Sequence, residues 1–242
     1  MPIGIDAADW ALACAVLLVG TVVQGSVGFG VALLGAPILF WIHPGLVPGP
    51  VLVVGMVLPL LILIRERHAL DTAGVRWAIP GQLSGAAAAG VLLARIDAAA
   101  LSLLFGLLVL LAVALSLASS APRPTPGRLL AAGALSGFMA TATSIGGPPL
   151  ALAYQGVRGP RLRASLSAVF VVGACGSLTA LTLIGRFGLT ELLLGVSLLP
   201  AIGAGFLLST YTAHALDRRW LRGAVLAVSA AAGLIAVGRA LL

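Results

Sequence analysis

Charged side chains are scarce in this chain of 242 residues: they make up 9% of it, and lysine is absent. Hydrophobic residues make up 60%, and the mean hydropathy is +1.15. A soluble domain of this size needs a largely polar exterior, so the composition excludes a soluble globular protein. The alternation of polar and apolar residues that is typical of a membrane β-barrel is also missing. The sequence therefore predicts an all-α polytopic membrane protein surrounded by a lipid bilayer.

Cysteine is nearly absent as well, and the two cysteines lack the spacing of a reactive or metal-binding site. Cys14 and Cys175 lie in apolar segments without a second cysteine or a histidine nearby in the sequence. We interpret both as small packing residues. The sequence shows no Ser/His/Asp, Cys/His or metal-ligand cluster, so we predict neither an enzyme nor a bound cofactor or metal.

All fourteen basic residues are arginines, and the net charge is +7. In a soluble protein such an excess would suggest binding to nucleic acid. Here the arginines cluster in short loops between apolar stretches, which is where membrane proteins carry the positive charge of their cytoplasmic side. We therefore expect no nucleic acid partner.

Eight apolar stretches follow one another along the chain, and the first and fifth are interrupted by polar residues, Gly and Pro. A Pro-rich polar linker, residues 119–128, divides the stretches into two sets of four. They are residues 10–42, 46–64, 74–94 and 98–118 before the linker, and residues 129–154, 164–184, 189–213 and 220–241 after it.

The two halves resemble each other, which predicts an internal duplication. An offset of 118 residues places Ser26–Gly28 on Ser144–Gly146, and an offset of 120 aligns the later stretches. Matching Pro and acidic residues carry more weight than matching apolar ones in such a sequence. The aligned pairs are Pro80 with Pro200, Gly85 with Gly205, Asp71 with Glu191, and Asp97 with Asp217. We predict a first repeat over residues 1–118 and a second over residues 129–242.

The distribution of arginines predicts that the two interrupted stretches do not cross the membrane. If all eight stretches crossed, each side would carry seven arginines, which contradicts the positive-inside bias. If residues 10–42 and 129–154 are re-entrant helical hairpins, eleven arginines share one side and three the other. Each repeat then has one hairpin and three transmembrane helices. An odd number of crossings makes the repeats inverted, as in many secondary transporters, and places both termini outside.

Each predicted hairpin has a polar, Gly-rich tip: QGSVGFG in the first and TSIGGPP in the second. Glycine lets a ligand approach the backbone, and a helix that starts after each tip, near Gly30 and near Pro148, directs unpaired N–H groups at an anion. No charged side chain lies in the middle of a stretch to neutralise a cation. We therefore predict a small anionic substrate between the tips, with a small neutral solute as the alternative. The predicted substrate-binding residues are Gln24, Gly25, Ser26, Gly28, Phe29, Gly30, Thr141, Thr143, Ser144, Gly146, Gly147, Pro148 and Pro149.

Two further features bear on this site. Gln82 and Ser84 follow a predicted kink at Pro80 and are second-rank candidates for the wall of the cavity. Glycines at four-residue spacing also permit tight helix packing, which explains those of the third stretch without a ligand. Packing is the alternative to binding at the tips too, but it does not account for the run 146–149, Gly-Gly-Pro-Pro.

The segments QGSVGFGVALLGAPIL and GFMATATSIGGPPLALA resemble those of the TauE/SafE family of membrane transporters, the sulfite exporters. The resemblance covers nearly the whole chain. It implies a secondary transporter that moves small sulfur-containing anions, such as sulfite, thiosulfate or an organosulfonate like sulfoacetate, across the bacterial inner membrane. A passive anion channel, or a transporter of another small organic anion, is the alternative. The family motif carries over at Gly25, Gly28, Phe29, Gly30, Pro37, Gly146, Gly147, Pro148 and Pro149.

Overall fold

The computed structural model describes residues 5–27, 31–118, 124–212 and 218–241, without the side chains of residues 25–27, 31, 210–212, 218–222 and 241. Within these ranges all regular elements are helical, which confirms the predicted all-α class. Two short 3-10 helices, Pro44–Leu46 and Arg67–Ala69, flank the third α-helix. The α-helices are α1 Ala7–Val27, α2 Val31–Ile42, α3 Gly49–Glu66, α4 Thr72–Leu93, α5 Ala98–Leu117, α6 Pro126–Thr143, α7 Gly147–Ala153, α8 Gly159–Leu183, α9 Leu189–Thr212 and α10 Arg218–Leu241.

The long helices coincide with the predicted stretches to within a few residues. The largest difference is at α8, which begins at Gly159, whereas the apolar stretch begins at residue 164. Pro160 lies in the first turn of α8, where its fixed φ favours a helix start. The start of α8 is therefore helical, although its arginines kept it out of the predicted apolar stretch.

The second interrupted stretch consists of two helices joined by a tight turn. α6 ends at Thr143, Ser144 has a left-handed backbone conformation with φ 64°, and α7 begins at Gly147. The arms are unequal, with 18 residues in α6 and 7 in α7. The first interrupted stretch is similarly uneven, with 21 residues in α1 and 12 in α2. In both predicted hairpins the first arm is thus the longer one.

Six described helices are long and apolar enough to cross a membrane, namely α1, α3, α5, α8, α9 and α10, so the chain is a multi-pass membrane protein. α1 would be about 31 Å long at 1.5 Å per residue, which matches a hydrocarbon core about 30 Å thick. α4 has 22 residues but is outside this set, because Arg76, Gln82 and its glycines make it less apolar than the others. Whether α1 and α6 are re-entrant arms stays a prediction.

The two halves pack through equivalent helices. In the predicted duplication α1 to α5 correspond, in order, to α6 to α10. α4 lies against α6, and the corresponding α9 lies against α1. α4 also lies against α8 as α9 does against α3, and α5 contacts α7 as α10 contacts α2. Two helices contact their own counterparts: α3 lies against α8, and α5 lies against α10. The contacts are those that two related halves would make, and the duplication itself stays a prediction.

α4 and α6 approach each other backbone to backbone. A Cβ atom at Gly81 or Gly85 of α4 would overlap a carbonyl oxygen of α6, and one at Gly133 or Gly137 of α6 would overlap a carbonyl oxygen of α4. The four-residue spacing on both helices is typical of close helix pairs in membranes. Tight packing by the glycines of α4 is therefore confirmed, and it fixes the position of Gln82 beside α6.

Ion pairs join the end of α3 and the start of α4 to the start of α8. Arg163 forms a salt bridge with Glu66 at 2.7 Å, and Arg161 forms one with Asp71 at 2.9 Å. Both arginines are about half exposed or more, so water and salt weaken these pairs. The ion pairs nevertheless place the connection between α3 and α4 on the same side of the molecule as the start of α8.

Contacts at other helix ends form a second group. Arg186, after α8, donates a hydrogen bond to the carbonyl oxygen of Ile96, before α5, at 3.3 Å. The guanidinium of Arg239 in α10 lies 4.9 Å from the centre of the Trp41 ring in α2, a cation–π distance. The end of α8 therefore lies beside the start of α5, and the end of α10 beside the end of α2.

Candidate functional site

A cavity of about 490 Å³ lies between the two predicted hairpins and α3. This volume falls within the range of about 300–1,000 Å³ that is usual for small-molecule sites. Apolar side chains of α1, α2, α3, α8 and α9 form most of its walls, and a few polar groups interrupt them. At one end the cavity reaches Gln155, which is exposed and lies in the turn between α7 and α8.

The cavity brings together predicted site residues from both hairpins and from α4. They are far apart in the sequence, and only the packing of the two halves makes them neighbours. The predicted residues in the lining are Gln24, Gln82, Ser144, Gly146, Gly147 and Pro148.

Four other predicted residues are absent from this lining. Thr141 and Thr143 are fully buried, and their hydroxyls bond to carbonyl oxygens one turn earlier in α6. Thr141 also shares a hydrogen bond of 2.8 Å with Ser177 of α8. Pro149 is buried in the first turn of α7, and Ser84 is exposed on another face of α4. The threonines therefore hold the end of α6 in place behind the tip.

Part of the first tip cannot be assigned to the cavity. Gly25 and Ser26 lie in the last turns of α1, but their side-chain surroundings are outside the described residues. Gly28, Phe29 and Gly30 lie wholly outside them. Their role in binding stays a prediction.

The turn of the second hairpin is fixed by two hydrogen bonds. Ser144 Oγ donates to the carbonyl oxygen of Pro48 at 2.9 Å, and Ser136 Oγ donates to that of Gly146 at 2.6 Å. The first bond ties the tip to the segment that precedes α3. Two prolines in the first turn of α7 remove backbone donors, so the N–H groups available there belong to Gly146 and Gly147. This helix start offers fewer donors than an ordinary one.

Part of the lining was not predicted from the sequence. The chain has three glutamines and no asparagine, and all three glutamines line the cavity. Gln155 was not singled out, and neither were Thr21, Ser116 and Gly55, which also line it. The rarity of carboxamide side chains was a signal that could have found Gln155. Gly55 gave no such signal, because glycine on an apolar helix is equally typical of helix packing.

Fixed charge is missing from the part of the cavity wall that the structure describes: no ionisable side chain belongs to it. Polar contacts with a ligand would come from carboxamides, hydroxyls and the backbone. Among the described residues there is also no group of three or more His, Cys, Asp or Glu side chains placed to hold a metal ion.

Tyr154 ends α7, and its hydroxyl lies near Asp71, a member of one of the ion pairs. It is fully buried, and its hydroxyl has no hydrogen-bond partner among the described residues. Burial, together with the negative charge of Asp71, raises the pKa of Tyr154 to about 12 against the opposing effect of Arg161. The phenol therefore stays protonated at neutral pH. The backbone N–H of Asp71 in turn donates to Ser165 Oγ of α8 at 3.0 Å.

Comparison with known proteins gave a family and no individual relative. Neither the curated proteins nor the solved structures contained a match to the chain. The family model described as "Sulfite exporter TauE/SafE" matches residues 12–235, which include both tips and the whole described lining of the cavity. Members of this family are membrane transporters. The chain therefore belongs to the sulfite exporter TauE/SafE family.

Proposed function

We propose that this protein is a secondary transporter of small sulfur-containing anions, such as sulfite, thiosulfate or sulfoacetate, in the bacterial inner membrane. The anion binds in the cavity between the hairpins, and alternating access exposes it to one side at a time. One observation carries the proposal: Gln24 of the first hairpin and Ser144 and Gly147 of the second contribute to a single cavity.

The chemistry of the lining favours an anion over a cation. No carboxylate belongs to the described lining, so nothing there would neutralise a bound cation. The Ser144 hydroxyl already donates to Pro48, so donors to an anion would come from the backbone N–H groups at the tip, together with carboxamide groups of the lining. Such neutral donors bind oxyanions without a permanent positive charge.

The same proposal includes inverted repeats with both termini outside. If all eight predicted stretches crossed, the starts of α4 and α8 would lie on opposite sides, and the ion pairs between them would be impossible. With two re-entrant hairpins they share the cytoplasmic side. The contact of Arg186 with Ile96 fits in the same way, since both then lie outside. The cavity, which reaches Gln155 at the cytoplasmic side, belongs to an inward-facing state in this arrangement.

Single cysteines will distinguish the two topologies. In a variant without the two native cysteines, we expect a membrane-impermeant maleimide to label Arg95→Cys and Arg186→Cys in intact spheroplasts. Arg67→Cys and Arg158→Cys should react only after the membrane is opened. If all eight stretches crossed, positions 95 and 158 would react together, and so would positions 67 and 186. That pairing would refute the re-entrant arrangement.

Transport by purified protein in liposomes tests the function itself. We expect saturable uptake of radiolabelled sulfite, thiosulfate or sulfoacetate, and faster uptake when the unlabelled anion is present inside, because a carrier exchanges its substrate across the membrane. Liposomes without protein provide the baseline.

Two results would contradict the proposal. Flux that neither saturates nor responds to anion on the opposite side would indicate a passive channel. An absence of flux for all three anions, under any imposed gradient, would show that the substrate belongs to another class.

A further inference from the structure

The buried side chain of Gln82 has an unsatisfied hydrogen-bond acceptor at the cavity. Gln82 lies in α4, lines the cavity and is 1% exposed. Its Oε1 atom is buried and has no hydrogen-bond partner among the described residues. Buried polar atoms without a partner are uncommon, because removing them from water is unfavourable. At the wall of a ligand cavity, the missing partner can come from the ligand.

Gln82 is closely packed against two glycines, one beside its carboxamide and one beside its backbone. A Cβ atom at Gly173 of α8 would overlap the amide of Gln82, and one at Gly137 of α6 would overlap its backbone carbonyl oxygen. α6 and α8 therefore leave space for the side chain but little freedom for it to turn towards another group of the protein.

No positive charge near this amide would stabilise a doubly charged ligand. The helices packed around Gln82, together with their cap residues, carry eight ionisable groups, and none of these lines the cavity. They are Asp71 and Arg76 of α4 and its cap, Arg128 of α6, Tyr154 after α7, and Arg158, Arg161, Arg163 and Cys175 of α8 and its cap. A dianion would lose its hydration here without a cationic partner, whereas a monoanion loses much less.

We propose that the site selects an oxyanion that carries one negative charge together with a hydrogen-bond donor, and that Gln82 Oε1 accepts the donor's hydrogen. This inference rests on the proposed function. It favours sulfite in its singly protonated form, hydrogen sulfite, over thiosulfate and sulfoacetate, which are dianions at neutral pH. Among sulfonates it favours those with a hydroxyl group beside the sulfonate.

Two sulfonates that differ by one hydroxyl group test the donor separately from the charge. Ethanesulfonate and 2-hydroxyethanesulfonate are both monoanions of similar size, and only the second has a donor. We expect the purified protein to bind 2-hydroxyethanesulfonate about tenfold more tightly by calorimetry, because a site built to pair a hydroxyl discriminates against the analogue without it. Sulfate, a dianion without a donor, should bind more weakly than either.

The variant Gln82→Met assigns the preference to this side chain. Methionine has a similar length but no amide, so we expect the affinity ratio of the two sulfonates to fall to about one while ethanesulfonate still binds. A folding defect would weaken both ligands equally. Ser84→Ala is the matched control, because Ser84 lies on the same helix, is exposed and is absent from the lining. It should keep the wild-type ratio.

Sulfite supplies an independent measurement that needs no variant. Its second ionisation falls near neutral pH, so we expect its affinity to rise as the pH falls through neutrality and hydrogen sulfite accumulates. Ethanesulfonate stays a monoanion throughout and reports any change in the protein itself.

The outcomes separate this inference from the proposed function. Equal affinity for the two sulfonates, or sulfate binding as tight as that of 2-hydroxyethanesulfonate, overturns the role of Gln82 and leaves anion transport standing. A wild-type preference that persists in Gln82→Met also overturns it. If none of these anions binds, and thiosulfate and sulfoacetate do not bind either, both proposals fail.

Discussion

Replacing Gly85 by alanine will lower the free energy of unfolding by about 3 kcal/mol or more. The new methyl group would overlap the carbonyl oxygen of Ala134 in α6. A backbone atom cannot move aside as a side chain can, so α4 and α6 would have to separate. Because the same contact positions Gln82, anion binding should be lost together with stability. The unfolding midpoint in detergent should fall by about 6 °C or more.

Two other glycines provide graded controls for this substitution. At Gly90 the added Cβ would lie 3.2 Å from the Cβ of Ala180, so Gly90→Ala should cost much less. At Gly203 of α9 nothing lies within 4 Å, and Gly203→Ala should stabilise the helix by about 0.5–1 kcal/mol. If Gly85→Ala were as stable as Gly203→Ala, the close packing of α4 on α6 would be wrong.

Replacing Gly55 by leucine should abolish anion binding without loss of folding. Gly55 lies in α3 and lines the cavity, and no atom lies within 4 Å of an added Cβ. A leucine there would extend into the cavity that we propose as the anion site. Wild-type protein with sulfite at 100 times its dissociation constant should gain about 2.7 kcal/mol of stability. We expect Gly55→Leu to show almost none of this gain in the same unfolding experiment.

Gly203→Leu is the matched control, since it adds the same side chain to open space at an exposed position that is absent from the cavity lining. It should keep the full stabilisation by sulfite. If Gly55→Leu also kept it, the anion would bind elsewhere. A bulky residue at Ser144 would test the site less cleanly, because φ there is 64° and the hydroxyl bonds to Pro48. Loss of binding in that variant could not be separated from a distorted tip.

The sequence was sufficient to predict the helices, because apolar stretches in membrane proteins must satisfy their own backbone hydrogen bonds. It also predicted the break in the second hairpin from Gly146 and Gly147. It did not predict that the two arms are unequal, with 18 residues in α6 and 7 in α7. It also could not predict the bond from the Ser144 hydroxyl to Pro48, because these residues are 96 positions apart in the chain.

The site was predictable only in part, because the sequence does not show which face of each helix meets the cavity. Gln24 and Ser144 stand out as polar residues in apolar surroundings, and both line the cavity. Thr141 and Thr143 stand out equally but point into protein packing, because contacts with α4 and α8 fix which face of α6 meets the cavity. Gln82 is more central than its second rank suggested, since its unpaired oxygen becomes evident only when the surrounding helices are in place.

The uncharged lining also determines how a membrane potential acts on transport. No ionisable side chain belongs to the described lining, so an empty carrier of the proposed kind changes its orientation with little electrical work. A carrier loaded with a monoanion moves one charge, which corresponds to about 2.3 kcal/mol for each 100 mV. With the cell interior negative, this work favours outward movement of the anion and leaves the return of the empty carrier unopposed. For a carrier that works as we propose, a cavity without fixed charge thus gives the transport cycle a preferred direction, which is export.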